Sequence, residues 1–470
     1  MKYKLFILFA IVGVNGCKIP ALISNQEKKP VPAFYSSVQD STNVASIKWR
    51  QFFTDPFLTA IIDTALKNNQ ELNIALREIE ISKNEIQARK GEYLPFVTVG
   101  GASGIEKTGR YTWDGLSEED LKANPNKGPK HIGDFRIGVY ASWELDVWKK
   151  LRNAKKSATL KYLSTIEGRN FMVTNIIAEI SGSYYELLAL DNLMAIIQQN
   201  IELQRNALSM IKLEKIAAKV SQLAVNRFDA QLLHTQNLQY DIQQQIIEKE
   251  NRINFLAGRY TQHLTRTTSN FTDIAVDVVQ SGVPSQLLLN RPDIRQAELD
   301  LAATKLDVQV ARANFYPSFR LSAGSGFTAF NPGFIFRPES ILYNFAGDAI
   351  GPLINKNAIN AAYKNANERQ IMLAYNYERS ILSAFIEVVN QLSLMENYKK
   401  SYETKSKEVE ILTQSIDISN KLFISTKADY IEVLLTQREA LDSRIELIET
   451  KLKQLQGKVN IYRALGGGWN

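Results

Sequence analysis

Residues that build most enzyme sites and disulfide frameworks are scarce in this sequence of 470 residues. Cys17 is its one cysteine, which excludes an intramolecular disulfide. The three histidines, His131, His234 and His263, have no ligand or base partner at the spacing of a metal site or a catalytic triad. We therefore expect no catalytic residue, no metal site and no cofactor.

Long apolar runs and a strong excess of one charge are also missing. Beyond residue 17 there is no run of about 18 uncharged apolar residues, which argues against a transmembrane helix but leaves β-strands as a way to span a membrane. Lys and Arg outnumber Asp and Glu by only 56 to 49. That excess is too small to indicate nucleic-acid binding, whereas a hydrophobic content of 45% fits a large folded body.

The N-terminus has the pattern of a secretory signal. Lys2 and Lys4 precede an apolar run from Leu5 to Val14. The run ends in Val14-Asn15-Gly16-Cys17, which resembles a bacterial lipobox, in which the cysteine is acylated and becomes the first residue of the mature chain. We predict a signal peptide over residues 1–16 and a lipid-anchored segment over residues 17–54. The alternative is an ordinary signal with a chance cysteine.

The rest of the chain is two copies of one unit. Pro95 matches Pro317 at an offset of 222 residues, whereas Leu145 matches Leu353 at an offset of 208. The change in offset places 14 extra residues of the first copy between Gly104 and Leu145. Such self-similarity indicates a structural repeat. The predicted divisions are repeat 1 over 55–258, an inter-repeat linker over 259–291, repeat 2 over 292–466 and a tail over 467–470.

Each repeat is predicted to contain a helix, two strands, a long helix and a shorter returning helix. Asp55-Pro56 favours the start of the first helix and Leu94-Pro95 its end, so that helix is expected to run to about residue 92. The corresponding helix of repeat 2 is expected to start at Pro292-Asp293 and to end at Tyr316-Pro317. The predicted strands are 94–104, 135–147, 318–328 and 341–353. The predicted later helices are 150–217, 221–257, 357–424 and 429–465.

The strand at 135–147 gives the clearest alternation of side chains. Its apolar face carries Phe135, Ile137, Val139, Ala141, Trp143, Leu145 and Val147. A strand of this length is longer than usual in globular proteins and suits a tilted bilayer crossing; the alternative is the edge of a soluble β-sandwich. Four strands cannot close a membrane barrel, because about eight is the minimum, and lipid does not tolerate an open edge. We therefore expect the chain to associate, and three copies would supply twelve strands.

The long helices carry apolar residues at heptad spacing. Val173, Ile180, Leu187, Met194, Ile201 and Leu208 recur every seven residues. This seam is typical of helix packing, and a continuous helix here would be about 90 Å long. We interpret the packed helices as a wall around a channel.

Three segments resemble a known family. Val283-Pro284-Ser285-Gln286-Leu287-Leu288-Leu289-Asn290-Arg291-Pro292-Asp293-Ile294-Arg295-Gln296-Ala297-Glu298 resembles the inter-repeat signature of the TolC-like outer-membrane efflux lipoproteins. Ser142-Trp143-Glu144-Leu145-Asp146-Val147-Trp148 matches the second strand of that family, and Phe315-Tyr316-Pro317 the entry to its third. The resemblance extends from about residue 49 to 467. It implies an α+β membrane protein, a homotrimer with a twelve-stranded transmembrane β-barrel continued by a twelve-helix periplasmic α-barrel.

The resemblance also implies a function. The trimer would be a passive, gated conduit in the cell outer membrane, in contact with outer-membrane lipid. It would export drugs, small toxic compounds or metal ions that an inner-membrane pump of the resistance–nodulation–division type delivers through a periplasmic adaptor protein. The alternatives are a duct for type I protein secretion and a structural lipoprotein that spans the periplasm without a pore.

Candidate site residues lie at the helix turns and strand ends. The resemblance assigns a periplasmic gate to Asp429, Glu432 and Arg438, with Leu435 where many relatives have a second acid. Asp429 and Glu432 also have the spacing of a helix capping box. The expected adaptor contacts are Val220, Ser221, Thr426 and Lys427. The expected lipidation site is Cys17, and the expected membrane-interface anchors are Trp143 and Trp148.

Overall fold

The computed structural model describes most of the chain, in two compact units. The described residues are 19–21, 32, 34–35, 44–107, 109, 123, 131–267, 271–276, 281–425 and 427–469. Unit 1 comprises 1–26, 80–163 and 299–375, and unit 2 comprises 27–79, 164–298 and 376–470. The predicted signal peptide, Cys17 and Thr426 lie outside the described residues, as does most of the segment between the first two strands.

The first predicted helix is interrupted at Asn69. A short helix α1 (Trp49–Phe52) is followed by α2 (Pro56–Asn68) and α3 (Gln70–Tyr93). Asp55 caps α2 as predicted, because its Oδ1 accepts a hydrogen bond from the backbone N–H of Phe57. The prediction of one continuous helix from 55 to 92 is wrong, because Asn69 has an extended backbone and its Oδ1 accepts from the N–H of Leu72. Asn69 therefore starts a second helix.

Four antiparallel strands form one sheet in unit 1. They are β1 (Phe96–Glu106), β2 (Ile132–Leu145), β3 (Ser318–Ala329) and β4 (Ile341–Ile350), in the order β1-β2-β3-β4. Strands β1 and β2 extend further than predicted into the segment that connects them, since Glu106 still pairs with Ile132. β2 ends two residues early because Asp146 caps the next helix, and β4 ends before Gly351-Pro352, where proline has no N–H to donate.

The later helices follow the predicted order. They are α4 (Lys150–Ile216), α5 (Gln222–Leu256), α6 (Leu287–Asn290), α7 (Pro292–Ala313), α8 (Asn357–Ile424) and α9 (Tyr430–Ala464). The heptad residues of α4 are buried except Met194, which is partly exposed. Within the described residues, the helices are too polar or too short to cross a membrane.

The duplication is visible in equivalent hydrogen bonds within unit 2. Nδ2 of Asn69 donates to the carbonyl of Leu256 (2.9 Å), and the guanidinium of Arg291 donates to the carbonyl of Ala464 (2.8 Å). Each accepting helix is followed by a glycine in the left-handed region, Gly258 with φ +67° or Gly466 with φ +90°. α6 therefore corresponds to the end of α2, so the predicted linker 259–291 is too long: residues 287–290 belong to the second repeat.

Candidate functional site

The sheet has one apolar face that is exposed to solvent in the single chain. The strand register places on it the alternate residues predicted from β2. Val99 is 78% exposed and Tyr343 85% exposed. The larger apolar side chains of this face are Val97, Val99, Ile105, Phe135, Ile137, Val139, Trp143, Leu145, Phe319, Leu321, Phe327, Ile341, Tyr343 and Phe345. A continuous apolar surface of this size needs a cover of lipid or protein.

The opposite face of the sheet is polar and charged. Glu144, Arg320 and Asp348 face one another across β2, β3 and β4. Further along the same face, Nε of Arg136 donates to Asp134 Oδ1 (2.8 Å). The described charged side chains of the four strands all lie on this face. The sheet thus separates an apolar side from an ionic one, as a membrane barrel requires.

A tyrosine ring lies over glycines on the polar face. A Cβ added at Gly324 would lie 3.0 Å from Cδ1 of Tyr140, and one at Gly138 would lie 3.4 Å from its hydroxyl oxygen. A Cβ added at Gly100 on β1 would lie 3.8 Å from Cε2 of the Tyr140 ring. The glycines of these strands therefore provide space for an aromatic ring that covers three strands. The sequence alone did not identify this contact of Tyr140.

Both edges of the sheet are open in the single chain. Among the described residues β1 pairs only with β2, and β4 pairs only with β3. Each edge exposes backbone N–H and C=O groups over most of a strand, which is a template for pairing with another chain.

The segment Ser142–Trp148 ties the end of β2 to the surrounding backbone. Nε1 of Trp143 donates to the carbonyl of Tyr93 (3.1 Å), and Nε1 of Trp148 donates to the carbonyl of Pro317 (2.7 Å). The ring of Trp148 also stacks on Tyr316 at 4.6 Å between centroids. Trp143 and Trp148 thus have structural partners, and their role as membrane-interface anchors stays a prediction.

The two helix turns belong to unit 2 and share an apolar cluster. At the first turn, Ala218 has φ +59° and Val220 packs on the cluster that includes Phe228. At the second turn, Phe423 and Tyr430 pack on the same cluster. The other predicted contact residues, Ser221 and Lys427, are exposed there. The structure therefore brings both turns together at one surface.

The predicted gate residues lie on the start of α9, but they do not form the predicted capping box. Oδ1 of Asp429 accepts from the N–H of Tyr430 (3.0 Å) instead of from Glu432. The carboxylate of Glu432 is exposed and has no hydrogen bond or ion pair within the described part of the chain. Nε of Arg438 lies 3.8 Å from Asp442 Oδ2 in an exposed pair. Asp429 is thus the cap, and Glu432 is available for another role.

One buried ion-pair centre carries a residue whose role the sequence did not reveal. Arg291 contacts Asp293 (2.7 Å) and Glu387 (2.8 Å) in addition to the carbonyl of Ala464. Its buried charge is thus satisfied by acids on α7 and α8. The only signal was that Arg291 occurs in the inter-repeat signature. No group of three or more potential metal ligands occurs in the described ranges.

Comparison with known proteins identifies the family. The family described as outer membrane efflux protein matches residues 61–259 and 283–467. This chain belongs to the outer membrane efflux protein family. The gap between the matched segments falls within the predicted linker 259–291.

Curated relatives in the outer membrane efflux protein family match almost end to end. The solvent efflux pump outer membrane protein SrpC of Pseudomonas putida is 27% identical over 478 residues, covering 100% of this chain and 99% of the relative. The cation efflux system protein CusC of Escherichia coli K12 is 24% identical, covering 99% of both. The pyoverdine export outer membrane protein OpmQ of Pseudomonas putida is 27% identical, and the match covers 90% of this chain and 88% of the relative.

Solved structures share the fold of this family member. A crystal structure of CusC superposes with a TM-score of 0.83 at 22% identity, covering 95% of this chain and 100% of that one. The open state of the Neisseria gonorrhoeae outer membrane channel MtrE superposes with a TM-score of 0.83 at 21% identity. The match covers 96% of this chain and 98% of that one. The chain therefore has the α+β fold of these channels, mostly helical with one four-stranded sheet.

Proposed function

We propose that this protein is the outer-membrane channel of a tripartite efflux system. The observation that carries the proposal is the sheet, with an uncovered apolar face, an ionic face and two open edges. Lipid would cover the first face, water in a lumen would solvate the second, and further copies would pair with the edges. The named efflux roles of the relatives, for solvents, cations and pyoverdine, support the same class of function.

The proposed assembly is a homotrimer with a twelve-stranded barrel and a twelve-helix periplasmic barrel. Exposed apolar faces of two helices support association with further copies of the chain, as the open strand edges do. On α8, Met372, Tyr375, Leu382 and Ile386 form an exposed apolar stripe at helical spacing, and on α3 Ile74 and Ile81 are exposed one heptad apart. A second copy would bury both stripes.

We assign the periplasmic entrance to the start of α9 and the adaptor contact to the two turns. Glu432 is the proposed gate acid because its carboxylate is exposed and has no partner among the described residues, with the cap residue Asp429 and Arg438 close to it in the chain. The adaptor would contact Val220, Ser221, Thr426 and Lys427. An inner-membrane pump of the resistance–nodulation–division type would supply substrate and energy, so the channel itself would catalyse no reaction.

The proposed lipid anchor is Cys17, after removal of residues 1–16. The nearest support is Ile19, which packs on a cluster of Val308, Phe315 and Tyr363 in unit 1. That unit also contains the sheet. An acyl chain attached two residues before Ile19 would therefore start in the same unit as the membrane-facing strands.

The test is the mass of the detergent-extracted particle, followed by current measurements in planar bilayers. We expect three chains per particle by light scattering corrected for bound detergent, and ion current after insertion. A monomer would contradict the barrel, because its strand edges would stay open. A trimer without current would instead favour a periplasm-spanning structural lipoprotein.

A further inference from the structure

The start of α4, in unit 1, carries an excess of positive charge. Between Asp146 and Glu167 the sequence contains no acid, but it contains six basic residues: Lys149, Lys150, Arg152, Lys155, Lys156 and Lys161. Ion pairs neutralise three of them, Lys150, Arg152 and Lys161. The other three have no ion pair within the described residues, and two of these, Lys149 and Lys156, are exposed. Uncompensated cations that lie this close together attract anions.

Two exposed cations of α7 extend this cluster. Lys305 and Arg312 are seven residues apart and therefore lie on one face of α7. Neither forms an ion pair in the part of the chain that the structure describes. Gln309 lies between them on that face and accepts a hydrogen bond from Nδ2 of Asn153 (3.0 Å), which is one turn before Lys156 on α4. The bond brings the two helix faces together. The four exposed, unpaired cations form the basic patch: Lys149, Lys156, Lys305 and Arg312.

The helical part of the basic patch lies away from the ionic face of the sheet. Nζ of Lys150 donates to Glu144 on that face (2.9 Å), whereas Lys156 lies roughly 120° around α4 from Lys150. Lys161 is on the same side of α4 as Lys150 and donates to Asp307 of α7 (2.8 Å). The two cations of α7 lie roughly 140–160° around that helix from Asp307. Both helices therefore separate these cations from the side that is connected to the ionic face.

Exposed apolar residues border the basic patch. Val147 is exposed two residues before Lys149, and Leu353 and Ile354 are exposed at the corresponding connection after β4. Lys156 is about 10 Å further along α4 than Lys149, a distance that long basic side chains partly span. The apolar face of the sheet therefore ends where the cations begin. The same change from acyl chains to phosphates occurs at the surface of a bilayer.

We propose that the basic patch binds the phosphates of anionic phospholipid headgroups at the bilayer surface nearest the helices. This inference rests on the proposed function, because it takes the apolar face as the lipid-facing side of the sheet. Lysine attracts the headgroup by its charge, and arginine can donate two N–H groups to one phosphate. A lipid fits better than an acidic protein, because a lipid supplies both acyl chains for the apolar border and phosphate for the cations.

The test is the quenching of tryptophan fluorescence by brominated phospholipids, with the full-length protein reconstituted in vesicles. Trp143 lies on the apolar face six residues before Lys149 and reports on lipid near the patch. Mixed vesicles of phosphatidylglycerol and phosphatidylcholine are compared with bromine on one lipid or the other. We expect the wild type to prefer the anionic lipid by about fivefold or more at low salt. The preference should fall at high salt, because screening weakens exposed charge interactions.

Substitutions locate the preference on the two helices. Lys156→Gln should lower the preference for phosphatidylglycerol by about twofold or more, and adding Arg312→Gln should lower it further. Lys212→Gln is the matched control, since it removes an exposed lysine near the other end of α4 and should retain the wild-type preference. Circular dichroism of each variant shows whether it is folded. If the double variant does not reconstitute, Lys156→Gln and Lys212→Gln decide the question.

The possible failures are distinguishable. Equal quenching by the two lipids in the wild type would overturn the basic patch and leave the lipid-facing sheet intact. A preference that Lys156→Gln and the double variant retain would do the same. An equal loss in Lys156→Gln and Lys212→Gln would overturn the patch as well, because net charge alone would then explain the preference. No quenching by either lipid would contradict the lipid-facing sheet itself, and with it the proposed function.

Discussion

At the scale of single residues, Asp146 shows how a carboxylate joins a strand to a helix. Its side chain is 2% exposed, and it accepts from the backbone N–H groups of Leu151 (2.9 Å) and Arg152 (3.0 Å) at the start of α4. Nε of Arg152 adds an ion pair at 3.0 Å. Burial alone would raise the pKa of Asp146, but these donors outweigh it and hold the pKa below its ordinary value.

Replacing Asp146 should therefore destabilise the protein. We expect Asp146→Ala to cost about 1–2 kcal/mol, because the first N–H groups of α4 lose their cap. The loss would be measured as a lower midpoint of thermal unfolding by far-UV circular dichroism. Asp241→Ala, at an exposed carboxylate on α5, is the control and should change the midpoint little.

The same substitution has a defined pH dependence. Because the native pKa of Asp146 lies below the unfolded value of about 3.9, its stabilising contribution is complete above that pH. It is lost as the pH falls through the native pKa. The difference between wild type and Asp146→Ala should therefore shrink in acid. A difference that stayed constant down to the acid limit would show that the carboxylate charge does not stabilise the cap.

At the scale of elements, local patterns predicted the strands and helices, and long-range contacts determined where they break. The alternation in β2 predicts both the strand and its two faces, because side chains of a strand alternate with a period of two residues. The break at Asn69 was not predictable, because its Nδ2 bonds to Leu256, which is 187 residues away. The spacing at Asp429 and Glu432 left the capping box open, because spacing alone does not determine which N–H the Asp429 side chain accepts from.

The contact of Tyr140 with β3 yields an element-scale prediction. Gly324→Ala should destabilise the sheet by about 1–3 kcal/mol, because the added Cβ would lie 3.0 Å from the ring of Tyr140. The Cβ would also contact the end of the Asn344 side chain, which can rotate away. Gly100→Ala is the control, since its Cβ would meet the same ring at 3.8 Å, an ordinary contact. The readout is the temperature at which the extracted protein loses its folded form on a gel.

A double substitution isolates the ring as the cause. Adding Tyr140→Ala to Gly324→Ala should remove most of the loss, measured relative to Tyr140→Ala alone. Equal losses with and without the ring would mean that Gly324 is needed for the close approach of the strands and not for Tyr140.

At the scale of the whole molecule, the two repeats and the proposed threefold symmetry determine where charge collects. Each chain places the exposed carboxylate of Glu432, which has no hydrogen bond or ion pair within the described residues, at the start of α9. A closed ring of three chains would set three copies of this group around one entrance. Symmetric carboxylates at a narrow opening concentrate cations and provide the hard oxygen ligands that divalent metals accept.

Divalent metal should therefore block the channel at Glu432. In planar bilayers we expect cobalt ions to reduce the wild-type current, and Glu432→Ala to weaken this block by about tenfold or more, because every copy loses its carboxylate at once. Glu449→Ala removes an exposed acid further along α9 and should retain the block. Block that survives Glu432→Ala but disappears in Glu449→Ala would place the metal-binding ring further along α9. Block that survives both would show that neither Glu432 nor Glu449 binds the metal, and Glu432 would then have no role in ion binding at the entrance.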